Sequence, residues 1–211
     1  MDLDYMKLIT RSYRENYDPS KIDQAMREYV CKKHYRLANK SLLEAELEHA
    51  RTKGRVKATS CTTLVLLVGF SLEPLLQSVC IYRPQKVVLL LNEKGYGQQQ
   101  WHEFAHHVTR AIGYLSEEKL IPEVPRFLGI NPPGKPGYPV ADSPEAVFQQ
   151  LAEILKDEAD VVIDITGGKK SMVGGAYLYA AYSGTRISYV DFDEYDPRSH
   201  RPYGFSCKIG E

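Results

Sequence analysis

Asp160-Val161-Val162-Ile163-Asp164-Ile165-Thr166-Gly167-Gly168-Lys169-Lys170-Ser171-Met172 reads as a strand, a tight turn and the start of a helix. Its first half is an apolar, β-branched run, the pattern of a strand buried on both faces. Two glycines end the run, and Lys169 to Tyr182 reads as a helix. The same alternation recurs upstream. Thr63 to Val68 is a solid apolar strand, followed by a helix over about 72–82. Lys86 to Leu91 is a second strand, followed by a helix over 98–112. Arg126 to Ile130 is a weaker third strand, and 131–144 a loop rich in Pro and Gly. Ser143-Pro144-Glu145 starts a helix that ends near Lys156, with proline at its first position. Arg186 to Asp191 is a fifth strand, which Tyr203 to Ile209 can join as an edge hairpin. Strands alternating with helices predict an α/β fold with a mostly parallel, doubly wound sheet.

The first 58 residues differ. They hold 13 Lys/Arg against 9 Asp/Glu, and the remainder 14 against 18, so a net of zero hides a basic start and an acidic rest. Asp18-Pro19-Ser20 signals a helix start, and no Pro or Gly follows from Lys21 to Lys53. Apolar residues recur at Ile22, Ala25, Met26, Tyr29 and Val30, then at Leu37, Leu42, Leu43 and Leu47. One or two amphipathic helices are expected, broken near Asn39-Lys40-Ser41 and closed by Gly54. Residues 1–58 are thus read as a helical N-terminal segment and 59–211 as the α/β domain.

The 211 residues are 43% hydrophobic and 26% charged, which fits a globular chain and not a disordered one. The absence of a basic excess argues against wrapping a long nucleic acid. The apolar strand run Leu64 to Gly69 is about six residues, and no run approaches the roughly 20 that a membrane helix needs. Met1-Asp2-Leu3-Asp4 does not resemble a secretory signal, so a cytoplasmic location is expected. Cys31, Cys61, Cys80 and Cys207 show no CxxC spacing, and all four are expected as reduced thiols.

In open α/β sheets ligands bind beyond the carboxyl ends of the strands. Those ends here are Gly69-Phe70-Ser71, Asn92-Glu93-Lys94, Thr166 to Ser171 and Asp191-Phe192-Asp193. The segment Thr166 to Ser171 is the most informative. Gly167 and Gly168 allow positive φ and close approach of a ligand to the backbone. The following helix's first N–H groups lack internal partners and sit at the positive end of its dipole. Lys169 and Lys170 add full charges, and Ser171 a hydroxyl. The combination favours a phosphate site over a plain turn with two exposed lysines. It is not a Walker A loop, for the residues just upstream, Asp164-Ile165-Thr166, supply no glycine at the required spacing. Nor is Val68-Gly69-Phe70-Ser71-Leu72-Glu73 a dinucleotide fingerprint, having one glycine where three are needed.

These phrases, with Arg83-Pro84-Gln85-Lys86-Val87-Val88 and the small residues Val173-Gly174-Gly175-Ala176, resemble the CARF domain, the CRISPR-associated Rossmann fold. The resemblance covers about residues 60–195. It implies a Rossmann-like sheet, a homodimer, and binding of cyclic oligoadenylate, the second messenger of type III CRISPR immunity, with no cofactor. Cyclic tetra-adenylate is the default ring, because a two-fold ligand suits a two-fold site. Gly69, Phe70, Ser71, Asn92, Thr166, Gly167, Gly168, Lys169, Lys170 and Ser171 are the expected ligand contacts. Two functions fit: a sensor, or a ring nuclease that needs no metal, because the RNA's own 2′-hydroxyl attacks the neighbouring phosphate. In the second, Ser71 would orient that hydroxyl and Lys169, or Lys170 beside it, stabilise the developing charge. Many relatives carry a HEPN ribonuclease after the CARF domain; here none is expected, and the extra residues come first. Arg27 and His34 have the Arg-x6-His spacing of HEPN sites, but one helical stretch is too small for that domain.

Three other constellations compete. His102-Glu103-Phe104-Ala105-His106 matches HExxH, which on a helix can bind zinc with Glu103 as general base, although only Glu117, Glu118 or Glu123 lies near as a third ligand. A HExxH zinc hydrolase is therefore the alternative outside the family; the favoured reading is an ordinary helix face with no metal. Tyr177, Tyr179 and Tyr182 could stack adenines, but packing is favoured because Tyr177 and Tyr179 cannot face one way. Asp191, Asp193 and Glu194 could hold Mg²⁺, with pocket lining or lysine pairing favoured.

Overall fold

The computed structural model describes residues 19–54, 56, 59–69, 72–93, 100–129, 136–191, 194–195, 202–203 and 206–210. The first described elements are helix α1 (Pro19–Cys31), a single 3₁₀ turn (Tyr35–Leu37) and helix α2 (Leu42–Thr52). The break near Asn39 has a local cause. Ala38 and Asn39 both adopt positive φ, and Ser41 then opens α2 with a capping box. The Ser41 hydroxyl accepts from the Glu44 amide at 3.2 Å, and the Glu44 carboxylate accepts from the Ser41 amide at 2.7 Å.

Then come β1 (Thr63–Val68), α3 (Glu73–Tyr82), β2 (Lys86–Asn92), α4 (Gln100–Glu117), β3 (Arg126–Leu128) and β4 (Tyr138–Val140). They are followed by α5 (Pro144–Ile154), β5 (Val161–Asp164), α6 (Lys170–Ser183), β6 (Arg186–Asp191), a small pair β7 (Glu194–Tyr195) and β8 (Pro202–Tyr203), and β9 (Ser206–Gly210). The main sheet runs β3-β2-β1-β5-β6-β9, parallel except for β9, which pairs antiparallel with β6. The expected edge pairing is thus present, with β9 the partner of β6.

Two expectations are corrected. The 131–144 loop contains a strand: β4 pairs with Leu90–Asn92 while β3 pairs with Lys86–Val88, so two short strands share one edge of β2. The helix expected over 98–112 reaches Glu117. Phe104, Val108, Ala111, Ile112 and Leu115 keep its buried stripe running past Gly113.

Alternation along β1 and β2 feeds two cores. Leu64, Leu66, Val68, Val87, Leu89 and Leu91 pack with α1 to α4; Val65, Leu67, Val88 and Leu90 pack with α5 and α6. Each such fully buried side chain contributes about 1.5–3 kcal/mol relative to exposure. The N-terminal helices belong to the first core, where Ile22, Met26, Tyr29, Leu43 and Leu47 are all buried. Polar ties reinforce this: Gln77 of α3 donates to the Tyr29 hydroxyl at 3.0 Å and to Glu46 at 2.9 Å, and the Tyr114 hydroxyl of α4 donates to Asp23 at 3.1 Å.

From β1 the chain steps to β2 and β3 on one side, and from β5 to β6 on the other. Right-handed crossovers in opposite directions put α3 and α6 on opposite faces. The switch point therefore lies between β1 and β5.

Candidate functional site at the switch point

Parallel pairing sets Leu66 level with Asp164. Continued past the strand ends, that register brings Gly167 beside Gly69. A Cβ on Gly69 would lie 2.0 Å from the Gly167 carbonyl oxygen, and one on Gly167 2.3 Å from the Leu67 oxygen. A Cβ on Gly168 would come within 2.8 Å of Leu67 Cδ1. Neither Gly167 nor Gly168 has positive φ. Gly167 thus serves backbone against backbone and Gly168 leaves room for the Leu67 and Val173 side chains, where the sequence suggested turn geometry and ligand approach.

Asp164 is fully buried and anchors the same loop. Its carboxylate accepts from the Ser78 hydroxyl of α3 at 2.6 Å and from the Thr166 amide at 3.0 Å. Burial pushes its pKa above the ordinary carboxylate value, against the lowering effect of the Ser78 and Thr166 donors. The Thr166 hydroxyl accepts from the Val190 amide at 2.7 Å, tying the loop to β6. Thr166 was expected at the ligand; its hydroxyl is engaged within the fold.

The loop delivers Lys169 as the N-cap of α6, with extended backbone and no capping side chain. Among the described residues, no group accepts from the amides of Ser171 and Met172, so the helix start presents open donors. Lys169 Nζ reaches across to β2 and donates to Asn92 Oδ1 at 3.2 Å. Asn92, the last residue of β2, is 1% exposed. Lys170 is exposed at the first position of α6, and Ser171 is half-buried. Gly69, Asn92, Thr166, Gly167, Gly168, Lys169, Lys170 and Ser171 are thus gathered at one end of the sheet. Phe70 and Ser71 lie outside the described residues.

One residue escaped the sequence reading. Asp142, just before α5, accepts from the Ser171 hydroxyl and lies 3.6 Å from Lys169 Nζ. The Ser171 hydroxyl, and then the Lys169 charge and the Lys169 and Asn92 side chains, hold its carboxyl below the ordinary range despite some desolvation. The sequence signal was an acid immediately before the Ser143-Pro144 helix start; nothing local tied it to residue 171.

The other constellations resolve differently. Arg27 lies in α1 and stacks over Tyr114 at 6.0 Å, whereas His34 lies beyond the helix, bridged to Lys40; the two do not share a helix face. Glu103 and His106 are exposed on α4, and the His102 side chain lies outside the description. Among the described residues no cluster of three or more His, Cys, Asp or Glu is placed to hold a metal. Phe192 and Asp193 of the acidic stretch are not described. Cys31, Cys61 and Cys80 are free thiols, and burial pushes Cys61 and Cys80 up to about 12. Tyr179 is buried edge-on against Phe148 with centroids 6.0 Å apart, while Tyr177, Leu178 and Tyr182 are 53%, 56% and 79% exposed. No described helix is long and apolar enough to cross a membrane.

Fold and geometry define a Rossmann-like α/β domain whose switch point gathers open helix N–H donors and Lys169. Over 100 residues, 42% of this chain, the sequence is 33% identical to the CRISPR system endoribonuclease Csm6 of Thermus thermophilus. This kinship bears out the resemblance to the CARF-domain proteins of type III CRISPR systems. The match spans 22% of that relative's length. No family model matches. Two solved structures overlap this chain in part. One is Can2 from Sulfobacillus thermosulfidooxidans in complex with cyclic tetra-adenylate, at TM-score 0.46 and 18% identity over 69% of this chain and 38% of that one. The other is Enterococcus italicus Csm6 bound to cyclic hexa-2′-fluoro-hexa-dAMP, at TM-score 0.45 and 15% identity over 72% and 42%.

Proposed function

We propose that this chain binds cyclic oligoadenylate as a homodimer and serves as a cytoplasmic sensor of type III CRISPR signalling. The observation that carries the reading is the start of α6. An uncapped helix N-terminus, the Lys169 ammonium and buried Asn92 meet at the topological switch point. Backbone N–H donors and one ammonium suit a phosphodiester. Gly69, Ser71, Asn92, Gly167, Gly168, Lys169, Lys170 and Ser171 are assigned to the ligand.

The dimer is supported by the character of α6. Its 14 residues, KSMVGGAYLYAAYS, carry one charged side chain, Lys170. One face is buried in the second core; Gly174, Tyr177, Leu178, Ala181 and Tyr182, at helical spacing, form a second apolar face, exposed at every position but half-buried Gly174. A helix apolar all round needs cover on both sides. A second copy fits this face, because the helix that carries it also starts at the phosphate site. Two such helices about a two-fold axis bring two Lys169 side chains to one ring.

The test is calorimetry of the chain with cyclic tri-, tetra- and hexa-adenylate, followed by chromatography of the ligand in EDTA. Saturable binding of one ring per two chains supports the reading, and no binding of any ring overturns it. An intact ring after tight binding leaves a sensor. Linear products ending in a 2′,3′-cyclic phosphate, lost in Ser71→Ala or Lys169→Ala, make it a ring nuclease.

A further inference from the structure

The anion site is already engaged by an anion of the chain's own. Asp142 lies in the link between β4, which ends at Val140, and α5, which starts at Pro144. Both ends of that link are pinned. The Glu93 amide donates to the Val140 oxygen at 2.9 Å, fixing β4 to the end of β2. At the other end, Gly175 lets α5 press on α6: a Cβ there would come 2.5 Å from the Pro144 oxygen and 2.6 Å from Val147 Cβ. The carboxylate is therefore carried over the first turn of α6 by the packing of two helices. There it takes the Ser171 hydroxyl and approaches Lys169 at 3.6 Å.

These are the donors that the reading above assigns to a phosphodiester. A carboxylate and a phosphodiester both present singly charged oxygens to the same ammonium and hydroxyl, so one excludes the other. We propose that Asp142 is a built-in competitor of the ligand's phosphate, holding Lys169 and Ser171 in the free protein and releasing them when the ring arrives. The inference rests on the cyclic oligoadenylate reading of this site. Its consequence is that Asp142 sets the affinity, keeping it below what the cationic site alone would give. Release is easy, because Lys169 and Asp142 are 43% and 39% exposed at their side chains, and ion pairs so exposed to water contribute little. The competing carboxylate also discriminates. A ligand with one weakly placed phosphate does not displace it, whereas a ring that engages both protomers does so at two sites at once.

The experiment compares the full chain with Asp142→Asn and Asp142→Ala by calorimetry against the cyclic oligoadenylate that the wild type binds. Asparagine keeps the shape and removes the charge. Binding about three- to tenfold tighter is expected for each variant, the effect of leaving Lys169 and the Ser171 hydroxyl with no carboxylate to give up. In a Lys169→Ala background the gain from Asp142→Asn should fall below about twofold, because the competition is for Lys169. Unchanged or weaker binding in both single variants, with the wild type binding, overturns the inference and leaves the ligand assignment standing. If neither wild type nor Asp142→Asn binds any ring, the ligand assignment falls and the inference with it. A carboxyl ¹³C titration of the free protein gives a ligand-independent readout. Asp142 should titrate below an ordinary aspartate in the wild type and nearer to one in Ser171→Ala. An ordinary value in the wild type overturns the contact itself.

Discussion

Lys169 Nζ, at the start of α6, donates at 3.2 Å to the amide oxygen of Asn92, at the end of β2. The two residues are 77 positions apart and come from strand ends on either side of β1. Asn92 is buried, so the ammonium is aimed by a rigid strand and not by a mobile loop. Lys169→Ala should weaken ring binding by about ten- to a hundredfold, the value of one charge-assisted contact. Asn92→Ala should weaken it less while leaving the charge in place. Calorimetry reads both, and equal affinity in wild type and Lys169→Ala would remove the lysine from the site.

The contact between Gly69 and Gly167 makes a stability prediction. A methyl on either collides with backbone oxygen, which cannot rotate away. Gly69→Ala and Gly167→Ala should each cost about 1–3 kcal/mol. Gly168→Ala meets mainly Leu67 and Val173 side chains, which can adjust, and should cost less. Gly168→Val pushes further into Leu67, so lost binding in that variant reports on the fold as well as the site. Urea unfolding ranks the four.

Buried Asp164 predicts a pH dependence. Its carboxyl titrates above the ordinary value, chiefly because it is out of water. A group raised in the folded state gives its full stabilisation below the unfolded pKa, about 3.9. That contribution is lost as pH rises through the folded value. Asp164→Asn, which does not titrate, should therefore gain stability relative to wild type as pH rises across that window. A difference between the two proteins that is flat with pH would show that Asp164 does not titrate there. Asp164→Ala should be less stable than either at every pH, by about 1–3 kcal/mol, because the Ser78 hydroxyl and the Thr166 amide lose their acceptor.

The exposed face of α6 predicts an oligomeric state. Leu178→Glu or Tyr182→Lys places a charge on an apolar surface that the dimer would bury. Sedimentation should give a dimer for the wild type and a monomer for the variants, with unfolding midpoints of the isolated chain little changed. Ring binding should fall with the dimer. Dimeric variants would move the interface elsewhere.

The sequence by itself determined the central sheet. β1, β2 and β5 are buried on both faces, and a strand so placed must be apolar at consecutive positions; Thr63–Val68 and Lys86–Leu91 are legible for that reason. It also marked the end of the sheet where the candidate site lies, because Gly-Gly-Lys-Lys-Ser after a buried strand is a local signature of open N–H donors and charge. Three residues of β4, one of them proline, carry no such pattern; the strand exists only because the last three residues of β2 offer it an edge. The reason for the glycines was likewise tertiary, since Gly167 is constrained by Gly69, 98 residues earlier. Asp142 was invisible because its partners, Lys169 and Ser171, are joined to it by no periodicity. The packing of Pro144 on Gly175, with the Glu93–Val140 bond at the other end of the link, decides that a carboxylate stands over the first turn of α6, and such long-range contacts leave no pattern in either segment's own sequence.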